Sequence, residues 1–253
     1  MADLTFQAGL KFQQMDPIIF SFSFTLAAAL VFLATAAADR KVAVALALLG
    51  AFYVGLDDLV TGLPRMISVL GVPGAKWNWS GKILSLVLSA LVIAALRMSP
   101  ASVGLTLKQS HKNIGAFAVF LFVVWGACLG FLFKPGQADL ETFLFQATMP
   151  GLAEEIVYRG ICPAILLGLI PQREPIAGIP WAVILATSIV FGIWHGLGYS
   201  GGSFSFDALS ALFPFVGSIA GGWLRFKTGS LLVPILGHSV ANVAFHIAGG
   251  LAA

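Results

Sequence analysis

The sequence predicts an all-α protein, a polytopic transmembrane helical bundle of about eight spans with a polar cavity among its carboxy-terminal helices. Three observations carry that expectation. Of the 253 residues, 58% are hydrophobic and only 10% charged, at a mean hydropathy of +0.95, whereas a soluble domain is nearer half apolar and a quarter charged. Apolar stretches near the roughly 20 residues that a spanning helix needs recur along the whole chain. Polar segments carrying Pro or Gly separate them.

The first span is expected over 17–38, with Pro17 at its start, where a missing N–H does no harm. Residues Met1 to Asp16 lack the basic start and small-residue cleavage site of a signal peptide, so the span is expected to remain in the chain. Asp39-Arg40-Lys41 turns the chain into span two, 42–60, which Thr61-Gly62-Leu63-Pro64 should end. Asp57 and Asp58 then fall near the membrane interface. The connection from Arg65 to Lys82 places Trp77 and Trp79 between Lys76 and Lys82, a composition suited to the headgroup level. Span three, 83–96, is short. A basic loop from Arg97 to Asn113 leads to the Phe-rich span four, 114–133. Span five, about 140–170, is too long for one straight crossing, and Pro150-Gly151 should kink it. Span six is 181–197, the flexible uncharged loop Gly198 to Ser203 follows, and spans seven and eight are 209–223 and 231–250. Residues 1–139 thus hold spans one to four, and 140–253 hold spans five to eight.

The net charge of +3 and pI near 9.0 do not point to nucleic acid, because the Lys and Arg residues are spread over connecting segments. Sorted by side with Arg159 left out, the loops after odd-numbered spans carry eight of them and the opposite side five, which favours the odd loops being cytoplasmic. Cys128 and Cys162 both sit in apolar runs, and neither has a spacing that suggests a metal cluster or disulfide framework. Each reads as a small buried hydrophobe.

The stretch Gly151-Leu152-Ala153-Glu154-Glu155-Ile156-Val157-Tyr158-Arg159-Gly160 stands apart. A charge at the centre of a membrane helix costs roughly 2.5–3.5 kcal/mol, so three unpaired ones would oppose insertion by about 8–10 kcal/mol. Glu155 and Arg159 reduce that, being four apart in the favourable acid-before-base order. Glu154 has no partner within the stretch, and an intramembrane carboxylate of this kind marks a functional site. The competing reading is an ion pair that only locks helices together.

The histidines divide. His111 lies in a basic loop and reads as solvated. His195 ends an apolar span with Phe191 one turn before it, and His238, Asn242 and His246 share one stripe of the last span. A single such histidine is readily explained as a hydrogen-bonding contact between helices. Three helices each presenting a strong polar group supply more: a base, a proton carrier and donors for an oxyanion, the inventory for hydrolysis by an activated water.

The residues Glu154-Glu155-Ile156-Val157-Tyr158-Arg159, then Phe191 to His195, then His238 to Asn242, resemble in order the EExxxR, FxxxH and HxxxN motifs of the type II CAAX prenyl endopeptidases and their bacterial relatives, the CPBP or ABI intramembrane proteases. The resemblance covers the carboxy-terminal half, with no departure at a motif position. It implies that the polar cavity is an active site. Glu154, helped by His195, would activate water; His238 and Asn242 would polarise the scissile carbonyl; Glu155, Arg159 and Phe191 would support them. His246 lies outside the motifs and reads as packing.

The implied function is that of an intramembrane endopeptidase cutting near a lipidated or membrane-embedded segment. Its partners would be a peptide or protein substrate and membrane lipids, with no nucleic acid, in the inner membrane if the host is bacterial. No cofactor is expected. A zinc-dependent version held by Glu154, His195 and His238 is the mechanistic alternative, disfavoured because HExxH is absent and Asn242 suits zinc poorly. A scaffold or bacteriocin-immunity-type protein would show degraded motifs, and a proton-coupled transporter would show internal repeats; the sequence shows neither.

Overall fold

The computed structural model describes residues 2–35, 40–168 and 178–252, with side chains from Asp16 onward apart from residues 40–42 and 112. Helix α1 covers Ala2–Thr35, α2 Arg40–Met66, α3 Trp79–Ala95, α4 Lys112–Phe133 and α5 Leu140–Glu155. A π-helical turn, Ile156–Ile161, joins α5 to α6, Cys162–Leu166. Helix α7 is Trp181–Gly196, a hairpin of β1 Leu197–Ser200 and β2 Ser203–Phe206 follows, and α8 Ala208–Thr228 and α9 Leu232–Ala252 complete the chain. The all-α polytopic expectation holds, with this one two-stranded hairpin added.

Among the described residues five segments are long and apolar enough to cross a membrane: Asp16–Thr35, Ala43–Met66, Asn113–Phe133, Ala208–Thr228 and Leu232–Ala252. The remaining three of the eight expected rods fall short for physical reasons. Helices α3 and α7 have 17 and 16 residues, and the α5–α6 rod carries the charged motif. The described part of the protein is an integral multi-pass bundle.

Helical periodicity explains how α1 sits. Ser21, Phe24, Ala28 and Phe32 form one buried stripe, while Phe22, Leu26 and Leu30 on the opposite face are exposed, as lipid contact requires. The buried stripe joins Tyr53 and Val54 of α2, Val157 and Ile161 of the π turn and Val190 of α7 in the main core. Small residues set the close crossings, the usual device where lipid offers no hydrophobic drive. On α4, Gly126 lies against the backbone of Ala241 and Gly130 against that of Phe245, both on α9; on α7, Gly192 meets Phe215 of α8.

Helix ends follow local chemistry. Asn78 caps α3 by accepting from the Gly81 amide, Asp139 caps α5 by accepting from Thr142, and Asp207 caps α8 by accepting from Leu209 and Ser210. Gly229 ends α8 in the left-handed conformation, φ 77°.

Several sequence expectations are corrected. Helix α1 begins well before Pro17, which lies inside it, and α2 runs through Thr61 to Met66 with Pro64 in its last turn. Residues 36–39, including Asp39, lie outside the described residues, as do 169–177, the end of the expected span five and most of the loop after it. Pro150 lies within α5, and the departure from α geometry comes after the glutamates, in the π turn. The stretch expected as a flexible loop at 198–203 is the β-hairpin, whose two turn glycines, Gly201 and Gly202, both have positive φ. Asp57 and Asp58, expected near the interface, are both engaged by neighbouring helices. Asp57 is buried and accepts from Ser85 at 2.6 Å, while Asp58 accepts from Ser21 and from the Trp194 indole at 2.7 Å. Arg225, counted among loop cations, is buried and donates to the Ser102 carbonyl at 2.9 Å. Cys162 is buried as expected, but Cys128 is exposed on α4.

Candidate active site

The glutamate pair sits at the end of α5, where the π turn begins. A π turn inserts one extra residue into the helix and recurs at functional sites. Despite that insertion the expected i,i+4 pair forms: Arg159 Nε is 3.2 Å from Glu155 Oε2, and both side chains are almost fully buried. The guanidinium also faces the Phe191 ring at 4.2 Å from its centroid, a cation–π contact.

Phe191 explains the spacing of its motif. Its ring lies between the Arg159 guanidinium and the imidazole of His195, 4.4 Å away, with Tyr158 at 4.8 Å and His238 at 6.5 Å. His195 is further fixed through Nδ1, 2.9 Å from the Phe191 carbonyl oxygen. A carbonyl only accepts, so Nδ1–H donates and Nε2 is left free in the neutral ring.

From α9, His238 Nδ1 lies 2.9 Å from Glu155 Oε1, and its Nε2 is 3.9 Å from Glu154 Oε2. Glu155 thus serves both Arg159 and His238, one with each oxygen. Four residues on, Asn242 donates from Nδ2 to Gln146 Oε1 at 2.9 Å, which leaves its second amide hydrogen unused. The structure therefore brings Glu154, Glu155, Arg159, Phe191, His195, His238 and Asn242 to one place. His246 is apart from them, packing edge-on against Trp77 with ring centroids 6.4 Å apart.

Glu154 is not unpaired. Its Oε1 accepts from Lys82 Nζ of α3 at 2.7 Å, in a pair about one-tenth exposed on each side. Oε2 has no hydrogen-bond partner among the described residues. The sequence reading places Lys82 at the headgroups beside the tryptophans and gives Glu154 no partner within its stretch. The signal it passed over is a polar stripe: Lys82, Ser85 and Ser89, at i, i+3 and i+7 of an otherwise apolar helix, are all buried. Ser85 and Ser89 meet Asp57 and Tyr53 of α2. Gln146 was likewise missed; it lies two turns before Glu154 on the same face of α5.

Two cavities open onto these residues. One, of about 640 Å³, is lined by Glu154, Lys82 and Gln146, by Arg65 at the end of α2, by Lys76 and Trp77 of the α2–α3 connection and by Trp79 at the start of α3. The other, of about 260 Å³, lies among α4, α8 and α9 and is walled by Phe122, Trp125, Leu129, Phe213 and Phe245. His195, His238 and Asn242 border both.

Among the described residues no group of three His, Cys, Asp or Glu side chains is placed as a metal-ligand set.

The arrangement has its counterpart among known proteins at the level of a family. Residues 135–244 match the family model described as type II CAAX prenyl endopeptidase Rce1-like, a segment that contains all three motifs. No curated protein and no solved structure matches the chain. Residues 135–244 are thus an Rce1-like type II CAAX prenyl endopeptidase domain, and the chain that carries them is a multi-pass membrane protease.

Proposed function

We propose that the protein hydrolyses a peptide bond near a lipidated or membrane-embedded segment of its substrate by water activated on Glu154, without a metal. The observation that carries this reading is the free, buried Oε2 of Glu154, facing the Nε2 of a histidine 3.9 Å away that is itself backed by a second carboxylate. That gap exceeds a hydrogen bond, and a polar separation of this size is one that a bound water or a substrate oxygen fills.

In this mechanism Glu154 Oε2 takes a proton from water, whose oxygen adds to the scissile carbonyl carbon. His195 Nε2 holds the water's second hydrogen. The carbonyl π pair moves to oxygen, where protonated His238 and the second N–H of Asn242 donate to it. Glu155, 2.9 Å from His238 Nδ1, stabilises that imidazolium. Collapse breaks the C–N bond, and the proton held by Glu154 passes to the leaving nitrogen. Residues 140–253 supply these groups as the catalytic core, while 1–139 supply part of the wall of each cavity. Substrate recognition divides between the cavities, the aromatic one taking an apolar group and the larger one the peptide.

The test is proteolysis by purified protein in liposomes against a library of lipidated and membrane-spanning peptides, with Glu154→Gln and a chelator-treated sample alongside. Loss of a general base is expected to cost about 10²–10⁴-fold in rate, with the chelator without effect. Cleavage retained by folded Glu154→Gln would remove the glutamate from the chemistry, and loss with chelator would restore zinc.

A further inference from the structure

We propose that Lys82, on α3 and outside the segment that matches the protease family, is a positioning residue of the reaction, holding one oxygen of Glu154 so that the other faces the water. The inference rests on Glu154 acting as the base.

The geometry is specific to that task. Lys82 Nζ meets Oε1 at 2.7 Å and leaves Oε2 without a partner. A carboxylate held by one oxygen only can still rotate, and here the ammonium is itself fixed on its other side. Nζ lies 5.2 Å from the centre of the Trp194 ring, within cation–π reach. The indole N–H of Trp194 is held by Asp58 at 2.7 Å, and Asp58 in turn accepts from Ser21. A chain of contacts thus runs from α1 through α2 and α7 to α3 and ends on the base in α5. Without it, Glu154 would be free to turn Oε2 away, because Arg159 is committed to Glu155 and Phe191.

A purely stabilising ion pair would predict a different outcome from a positioning one. Removing the ammonium should lower kcat at unchanged KM, since Lys82 orients the base and not the substrate. In Lys82→Met, kcat is expected to fall roughly tenfold or more, a part of the 10²–10⁴-fold that a placed base contributes. Lys82→Arg, which keeps charge and reach, should recover most of that loss. Lys82→Gln, which keeps a donor to Oε1 without charge, is the second neutral variant should Lys82→Met not fold. Folding is followed by thermal midpoint and elution in detergent, with Glu154→Gln assayed beside them.

A folded neutral variant turning over at the wild-type kcat, or a folded Lys82→Arg as slow as Lys82→Met, overturns the proposal. A rise in KM with kcat intact also does, because it makes Lys82 a substrate contact. If Glu154→Gln is inactive while Lys82→Met is fully active, only the role of Lys82 fails. If Glu154→Gln retains activity, the reading of the base fails first.

Discussion

The guanidinium of Arg159 is held on two sides, by Glu155 Oε2 at 3.2 Å from its Nε and by the face of Phe191 at 4.2 Å. The two neighbours stand on different rods, so a single cation ties the start of the π turn to α7. Arg159→Ala would take from the buried Glu155 its one permanently charged partner and leave it His238 alone. Breaking a buried pair from one side costs about 3–5 kcal/mol, and a clear drop in thermal midpoint in detergent is the expected result. Glu154→Gln should show a smaller drop, because the amide oxygen still accepts from Lys82 and the ammonium borders the larger cavity. Equal midpoints for Arg159→Ala and wild type would remove the structural role.

The crossing of α4 and α9 offers a second test. Gly126 and Gly130 are four apart, and a Cβ on Gly126 would overlap the Ala241 carbonyl oxygen, a backbone atom that cannot swing aside. Gly126→Ala should therefore force the helices apart. Overpacking of this kind costs about 1–3 kcal/mol, and since Asn242 follows Ala241 directly, kcat should fall together with the thermal midpoint. An unchanged midpoint would show that the helices separate freely.

The α2–α3 connection, which walls the larger cavity, is fastened to the start of α5 by charge. Lys76 pairs with Asp139, and the amides of Lys76 and Trp77 and the indole of Trp79 donate to Glu141 at 3.0–3.2 Å. The Lys76 hydrogen bond, then those of the Thr142 amide and hydroxyl, hold the Asp139 carboxyl far below its usual range. Its folded pKa is depressed, so the stabilisation is complete above the unfolded aspartate value near pH 4 and is lost as pH falls through the folded value beneath it. The fluorescence of Trp77 and Trp79 should change on acidification below about pH 4. Asp139→Asn should flatten that response; a response identical to wild type would place the titration elsewhere.

Much of this architecture was legible because hydropathy and polar turns are local signals. The eight rods, the i,i+4 contact of Glu155 with Arg159, and the convergence of Glu154, His195, His238 and Asn242 all follow from periodicity and from motif order. What escaped is long-range. Lys82 and Glu154 are 72 positions apart, and a lysine beside two tryptophans reads equally well as a headgroup anchor. The partners of Asp58 are likewise distant in sequence, Ser21 of α1 and Trp194 of α7, and α2 runs on past Gly62 and Pro64 to Met66 although those residues resemble a helix stop. The hairpin 197–206 was read as a loop because its strands are only four residues each, too short for an alternation signal.

The two cavities that share His195, His238 and Asn242 differ in what can dissolve in them. The larger, with Lys82, Glu154 and Gln146 in its lining, suits water, whereas the smaller reaches Glu155 and Arg159 but is walled mainly by aromatic rings and suits an apolar group. On the proposed function, the reaction draws one reactant from each of two phases. Its velocity should follow the mole fraction of substrate in the bilayer rather than its bulk concentration, so that diluting a fixed amount of substrate with inert lipid slows the enzyme even when nothing else in the vessel changes.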